Sequence, residues 1–139
     1  MARRTVHDMV AEARAEIEEL SPEEVQAELD AGTAVLVDIR DIRERVEKGA
    51  IPGSVSAPRG MLEFWFDPES PYHQDRFQLD GRYVFSCASG WRSALATKAI
   101  QELGFENVAH LESGFTGWVE AGHDVEDVAS TSKWVKRDG

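Results

Sequence analysis

The chain has 139 residues, 42% of them hydrophobic and 9% aromatic, which is one domain's worth of sequence with enough apolar material for a core, so the disordered class is disfavoured. Fifteen Lys and Arg against 26 Asp and Glu leave a formal charge of −11, which would repel nucleic acid and anionic membrane over most of the exterior, leaving room only for a local basic pocket. Apolar runs such as Ala34 to Val37 are far below the roughly 20 residues of a membrane helix, and no signal or transit segment is expected at the start, so the expected compartment is the cytoplasm.

Val6, Met9, Val10, Ala13, Ile17 and Leu20 share one face at helical spacing and predict an amphipathic helix that ends by residue 20. Its acidic side, Glu12 to Glu19, reads as a solvated helix face. Its apolar stripe either covers the core or pairs with a second copy of the chain as a homodimer. Ser21-Pro22-Glu23-Glu24 reads as an N-cap, a first-turn proline and a capping-box glutamate opening a second helix that runs to Ala31 and stops at Gly32.

Ala34 to Ile39 has the look of a strand buried on both faces. A short helix follows from Ile42 to Lys48, then the turn Ile51-Pro52-Gly53 and a brief strand at Val55 to Ala57. Gly60 to Tyr72 reads as a short helix running into an irregular loop, with Phe64, Trp65 and Phe66 packing on the core. Tyr83 to Ser86 is a buried strand, Arg92 to Leu103 a helix, Val108 to Leu111 a strand and Phe115 to Ala121 a last helix. Strands alternating with helices imply an α/β fold, a central parallel sheet with helices on both faces. The polar tail from about residue 129, with Trp134 as its one large apolar side chain, either docks or frays.

Cys87 is the only cysteine, which excludes an internal disulfide and a cysteine-based metal site. It follows a strand and precedes the turn Ala88-Ser89-Gly90-Trp91 and a helix beginning near Arg92. Sites in open α/β sheets form at the carboxyl ends of strands. A loop closing onto a helix N-terminus aims backbone N–H groups and the helix dipole at one spot, which favours a thiolate, a bound oxyanion or the outer sulfur of a persulfide. Gly90 lets the turn curl tightly, Arg92 adds a cation, and no separate general base is required. His7, His73, His110 and His123 lack paired metal spacing, so neither metal nor cofactor is expected, and each reads as a surface or core residue. His110 lies at a strand end from which it could approach the pocket.

Cys87-Ala88-Ser89-Gly90-Trp91-Arg92-Ser93 resembles the active-site loop of the rhodanese family, C-x-x-G-x-R-S. Val37-Asp38-Ile39-Arg40 with Glu44, Gly49 to Ser54, and Leu111 to Trp118 resemble the family's other segments in the family's order, so the likeness covers about Ser21 to Val125. It divides the chain into an N-terminal helical extension (1–20), a rhodanese-like domain (21–128) and a C-terminal tail (129–139). It implies a rhodanese-like fold and a thiosulfate sulfurtransferase. Cys87 would take the outer sulfur of thiosulfate or a persulfide donor and pass it to cyanide, a thiol or a protein thiol.

Residues 88 to 93 would form the persulfide-binding loop, Asp38, Arg40 and Glu44 would support it, and Arg59 is similar to an arginine that many rhodaneses place near the pocket. Arg92 either stabilises the substrate or pairs with a carboxylate such as Glu44, and Trp91 either lines the pocket mouth or packs on the surface. Four residues separate Cys87 from Arg92, whereas related phosphatases and arsenate reductases have one more, so the resemblance favours sulfur over phosphate. The alternatives are a non-catalytic binding or regulatory module and, behind it, such a phosphatase or reductase. Ala50 stands where the family usually has histidine, and Ser113 where it usually has the first of two glycines.

Overall fold

The computed structural model describes residues 3–131. In chain order these form α1 (Val6–Glu16), β1 (Glu18–Leu20), α2 (Pro22–Ala31), β2 (Val35–Asp38), α3 (Ile42–Lys48), β3 (Val55–Ser56), a 3-10 turn (Arg59–Met61), α4 (Leu62–Phe66), β4 (Tyr83–Ser86), α5 (Trp91–Glu102), β5 (Val108–Leu111), α6 (Gly114–Glu120) and α7 (Val128–Thr131). The five strands make one parallel sheet in the order β1-β5-β4-β2-β3. This is the α/β architecture expected from the alternation of elements. Trp134 and the rest of the tail beyond residue 131 lie outside the described residues.

One face of the sheet is covered by α4 and α5. There Phe66 stacks on Phe77 at 4.0 Å between centroids and meets Tyr83, Phe85 and Phe105 at 5.2 to 5.4 Å. Each large apolar side chain fully buried this way contributes about 1.5–3 kcal/mol. On the other face Val25 from α2 and Phe115 and Trp118 from α6 pack over Leu36, Val84, Ala109 and Leu111. Both faces of β4 are buried, as the unbroken apolar run of such a strand requires. No helix of the described residues is long and apolar enough to cross a membrane.

The opening segment departs from the sequence reading. α1 stops at Glu16, and Ile17 is extended (φ −120°, ψ 162°). Residues Glu18 to Leu20 pair with Ala109 to Leu111 as an edge strand. The helical spacing of Ile17 and Leu20 is real, yet hydrogen bonding along the free edge of β5 overrides local propensity. The acidic face is therefore not simply solvated. Glu12 and Glu16 each pair with Lys98 of α5 at 3.2 Å, and Glu19 turns toward the sheet edge. Part of the apolar stripe of α1 covers this same chain, with Val10 and Ala13 packed on Ala94 of α5, while Val6 and Met9 stay exposed.

Candidate active site

β4 ends at Ser86, and the loop from Cys87 to Gly90 leads directly into α5. Gly90 has φ +89°, a conformation that side chains disfavour, and it turns its N–H onto the sulfur: Gly90 N donates to Cys87 Sγ at 3.2 Å. Ser93 N donates to the same sulfur at 3.4 Å. As a first-turn residue of α5, Ser93 has no intrahelical acceptor for that N–H, so the helix start supplies a donor to the loop. The sulfur thus sits in a cradle of backbone N–H groups. Cys87 is 1% exposed, at the floor of the loop.

The opposite wall is α6. Phe115 N donates to Cys87 O at 2.8 Å and Thr116 N to Ala88 O at 3.0 Å, which ties the loop to the start of α6. The approach is close enough that a Cβ on Gly114 would lie 2.5 Å from Ala88 O, and Gly114 has φ +65°. Ser113 beside it has φ −92°, a backbone conformation that carries no penalty for a side chain.

The residues expected to support the loop separate into two groups. Glu44 reaches it directly: Arg92 donates to both Glu44 carboxylate oxygens at 2.9 Å. This hydrogen bonding holds the Glu44 carboxyl below its ordinary value and raises that of Arg92. The cation of the loop is thus engaged by a carboxylate at the rim. Asp38 and Arg40 are both buried and act one layer below. Asp38 accepts from Arg40 Nη2 and from Arg45 Nη1 at 2.8 Å each, and Arg40 Nη2 also donates to Gly49 O at 2.8 Å. The Arg40 guanidinium lies 4.3 Å from the centre of the Phe115 ring, which ties this ion cluster to α6.

A cleft of about 470 Å³ opens beside the loop, lined by Arg40, Glu44, Lys48, Ala88, Phe115 and Thr116 among others. Arg59 does not line it. Arg59 pairs with Glu63 at 2.6 Å and lies on a separate cleft with Met9 and Lys98. Trp91 is 45% exposed, with its ring meeting the edge of His7 from α1 at 5.0 Å between centroids.

Of three further residues around the loop, sequence reasoning placed only His110 where it could approach the pocket and gave none of them a role. Arg14 Nη2 donates to Glu112 O at 3.2 Å and to Gly90 O at 3.4 Å, so α1 pins the loop to the end of β5. His110, fully buried, has Nδ1 2.8 Å from Ser93 Oγ and Nε2 2.9 Å from Glu19. Burial lowers the pKa of this imidazole from the ordinary 6.5, opposed by the hydrogen bond to Glu19. Glu19 and His110 are direct neighbours across β1 and β5. The signal that could have found them was that register, invisible while Glu18 to Leu20 read as helix. No cluster of His, Cys, Asp and Glu able to hold a metal occurs among the described residues.

A family model described as the Rhodanese-like domain matches residues 21–121. The chain is 32% identical over 101 residues to the mouse (Mus musculus) thiosulfate sulfurtransferase/rhodanese-like domain-containing protein 3, covering 69% of this chain and spanning 64% of that protein. It is 29% identical over 108 residues to the thiosulfate sulfurtransferase GlpE of Glaesserella parasuis, 78% of this chain and 92% of that one. Among solved structures, a human single-domain sulfurtransferase superposes with TM-score 0.64 at 29% identity, covering 73% of this chain and 95% of that one. A Rhodopseudomonas palustris protein of unknown function, described as a possible tyrosine phosphatase, superposes with TM-score 0.85 at 48% identity, covering 91% and 97%.

Proposed function

Since the chain belongs to the rhodanese-like family, we propose that it is a sulfurtransferase that carries sulfane sulfur as a persulfide on Cys87. The observation that carries this reading is the pair of backbone N–H groups, from Gly90 and Ser93, that converge on Cys87 Sγ. Two fixed donors on one sulfur favour its anionic form and cost no reorganisation during reaction.

Thiosulfate or a persulfide is the proposed donor. The Cys87 thiolate attacks the outer sulfur of thiosulfate, a new S–S bond forms to Sγ, and the old bond breaks as sulfite leaves with its electron pair. Cyanide, a small thiol or a protein thiol then attacks the outer sulfur, and Cys87 departs as thiolate with the bonding pair. The cleft bounded by Ala88 and Phe115 is the proposed approach for the acceptor. Ala88, Ser89, Trp91 and Arg92 complete the proposed persulfide loop, with Asp38, Arg40 and Glu44 as its supports. Arg59, held by Glu63, is given no part in binding the donor.

The test is the intact mass of reduced protein before and after thiosulfate, and again after cyanide. A gain of one sulfur that cyanide removes, absent in Cys87→Ser, is the expected result. No sulfur gained from thiosulfate or from persulfide donors would overturn the reading in favour of a binding module. A second reading, phosphatase, is favoured by the description of the Rhodopseudomonas relative. Against it stands the loop of four residues between Cys87 and Arg92, whose N–H groups already close on the sulfur itself. Turnover of an aryl phosphate that is lost in Cys87→Ser would establish that second reading.

A further inference from the structure

The sulfur of Cys87 is the inner end of a continuous line of hydrogen-bonding groups. Cys87 Sγ lies 3.5 Å from Ser93 Oγ, Ser93 Oγ lies 2.8 Å from His110 Nδ1, His110 Nε2 lies 2.9 Å from Glu19 Oε2, and Arg14 Nη1 lies 2.5 Å from that same oxygen. The inner three members are buried, and the line reaches solvent at Glu19 and Arg14, whose side chains are 28% and 29% exposed. Both outer residues precede residue 21, where the family match begins.

The direction of each bond follows from the outer end. A carboxylate has only acceptors, so Glu19 requires a proton on Nε2 of the neutral ring. Nδ1 is then an acceptor and takes the Ser93 hydroxyl proton. The lone pairs of Ser93 Oγ in turn face the sulfur and accept the thiol proton. From Cys87 to Glu19 every donor points outward, which is the arrangement a proton needs in order to leave, and Arg14 donates inward to close the line at Glu19.

We propose that His110, acting through Ser93, takes up the proton that Cys87 releases, and that Glu19 and Arg14 of the N-terminal segment set the strength of this acceptor. The proposal rests on the reading of Cys87 as the nucleophile. In the step, the S–H bond breaks as its proton passes to Ser93 Oγ, and the Ser93 O–H bond breaks as its own proton passes to Nδ1. Sulfur becomes negative and the imidazole positive, with no net change. The Ser93 hydroxyl now donates to the thiolate and adds a third donor to the two backbone N–H groups.

The groups facing His110 divide in their effect on the imidazolium. Glu19 on β1 stabilises it, Arg14 on α1 opposes it, and desolvation by the surrounding core opposes it most. Burial thus keeps the ring neutral, and so able to accept, while the thiol is protonated. The thiolate and Glu19, both negative, would then flank the imidazolium once it forms. His110 is accordingly a positioning residue for the thiolate. It touches no substrate.

The experiment is an ultraviolet titration of thiolate absorbance in the full chain, with Cys87→Ser as the blank, for wild type, Glu19→Gln, Ser93→Ala and the double variant. Glu19→Gln keeps an acceptor for Nε2 and removes only the charge. By a purely through-space effect, losing a negative charge would move the midpoint of thiolate formation to lower pH. By the relay it weakens the imidazolium and moves the midpoint up, by about one pH unit. Ser93→Ala, which retains the backbone N–H on the sulfur, also moves it up, and in that background Glu19→Gln adds no further rise. A Glu19→Gln midpoint that is unchanged or lower, or an undiminished rise in the Ser93→Ala background, overturns the relay. Sulfur uptake by wild type is measured separately, so failure of the relay leaves the sulfurtransferase reading standing, and the reverse also holds. His110→Gln, where it folds, raises the midpoint as well.

Discussion

Gly90 is where backbone geometry and chemistry meet, and Gly90→Ala separates the two when set against Gly32→Ala. Both glycines adopt positive φ, +89° and +69°, so an alanine at either bears the left-handed strain of about 1–2 kcal/mol. At Gly32 a new Cβ meets nothing within 4 Å, and that strain is the whole cost. At Gly90 it would press into the carbonyl oxygen of Glu112, 3.0 Å from the carbonyl carbon and 2.8 Å from Arg14 Nη2. Those atoms belong to the end of β5 and to the clamp on the loop, so the loop itself must move. The move lengthens the Gly90 N–H contact to Cys87 Sγ, one of the two donors in the cradle. Urea denaturation should show Gly32→Ala destabilised by about 1–2 kcal/mol and Gly90→Ala by at least about 1 kcal/mol more. Sulfur transfer from thiosulfate to cyanide should stay near wild type in Gly32→Ala. In Gly90→Ala it should fall by about a hundredfold, the scale of a misplacement near 1 Å. Equal losses of stability in the two variants, or full activity in Gly90→Ala, would refute the argument that the close approach of Glu112 fixes the loop.

Asp38→Asn leaves the buried Arg40 and Arg45 facing a neutral amide and should cost about 3–5 kcal/mol in urea denaturation; a loss under about 1 kcal/mol would mean the cluster is hydrated. Glu44→Gln releases Arg92 at an exposed rim, so stability should change by less than about 1 kcal/mol while KM for thiosulfate falls; an unchanged KM would confine Arg92 to a structural role. The Glu44 carboxyl is held below 4.5, so the stability it adds is present above that value and is lost as pH falls through its lower folded value. His110 is lowered from 6.5 in the folded state, so acidification below 6.5 protonates the unfolded chain first and removes stability. Denaturation at pH about 7.5 and about 5.5 should show that loss in wild type and a smaller one in His110→Gln, and equal losses would refute it.

Most of the candidate site was legible because its residues are consecutive. Cys87 to Ser93 carry the proposed nucleophile, turn glycine and helix start within one short segment, and the segment's own backbone builds the cradle. Strand β4 and helix α3 were read at their observed limits because their boundaries are written locally, by the buried apolar run of β4 and by Gly49 at the end of α3. β1 was not legible. Three residues, two of them glutamates, carry no period-two signal, and Ile17 and Leu20 fit the preceding helical stripe. With β1 hidden, the neighbourhood of Glu19 and His110 was hidden too, since only strand register brings together residues 91 positions apart. Arg14 shares this origin: its two contacts with the loop span 76 and 98 positions.

The two departures from the family pattern fall where the backbone, not the side chain, performs the task. Ala50 is fully buried and exchanges both backbone hydrogen bonds with Glu126, at 3.0 and 2.7 Å, which joins the turn after α3 to the segment before α7. A histidine there would have to place its ring in a site that Ala50 occupies without exposure. Ser113 has ordinary helical φ and ψ, so nothing in its conformation requires glycine. At Gly114 φ is positive and Ala88 lies against the missing Cβ, so glycine is required by two separate constraints. The same two constraints recur at Gly90, against Glu112. The loop is therefore gripped from both sides by close backbone approaches that only glycine permits. With the loop's shape fixed by the backbone, the side chains around Cys87 are free to tune the sulfur rather than to hold it in place.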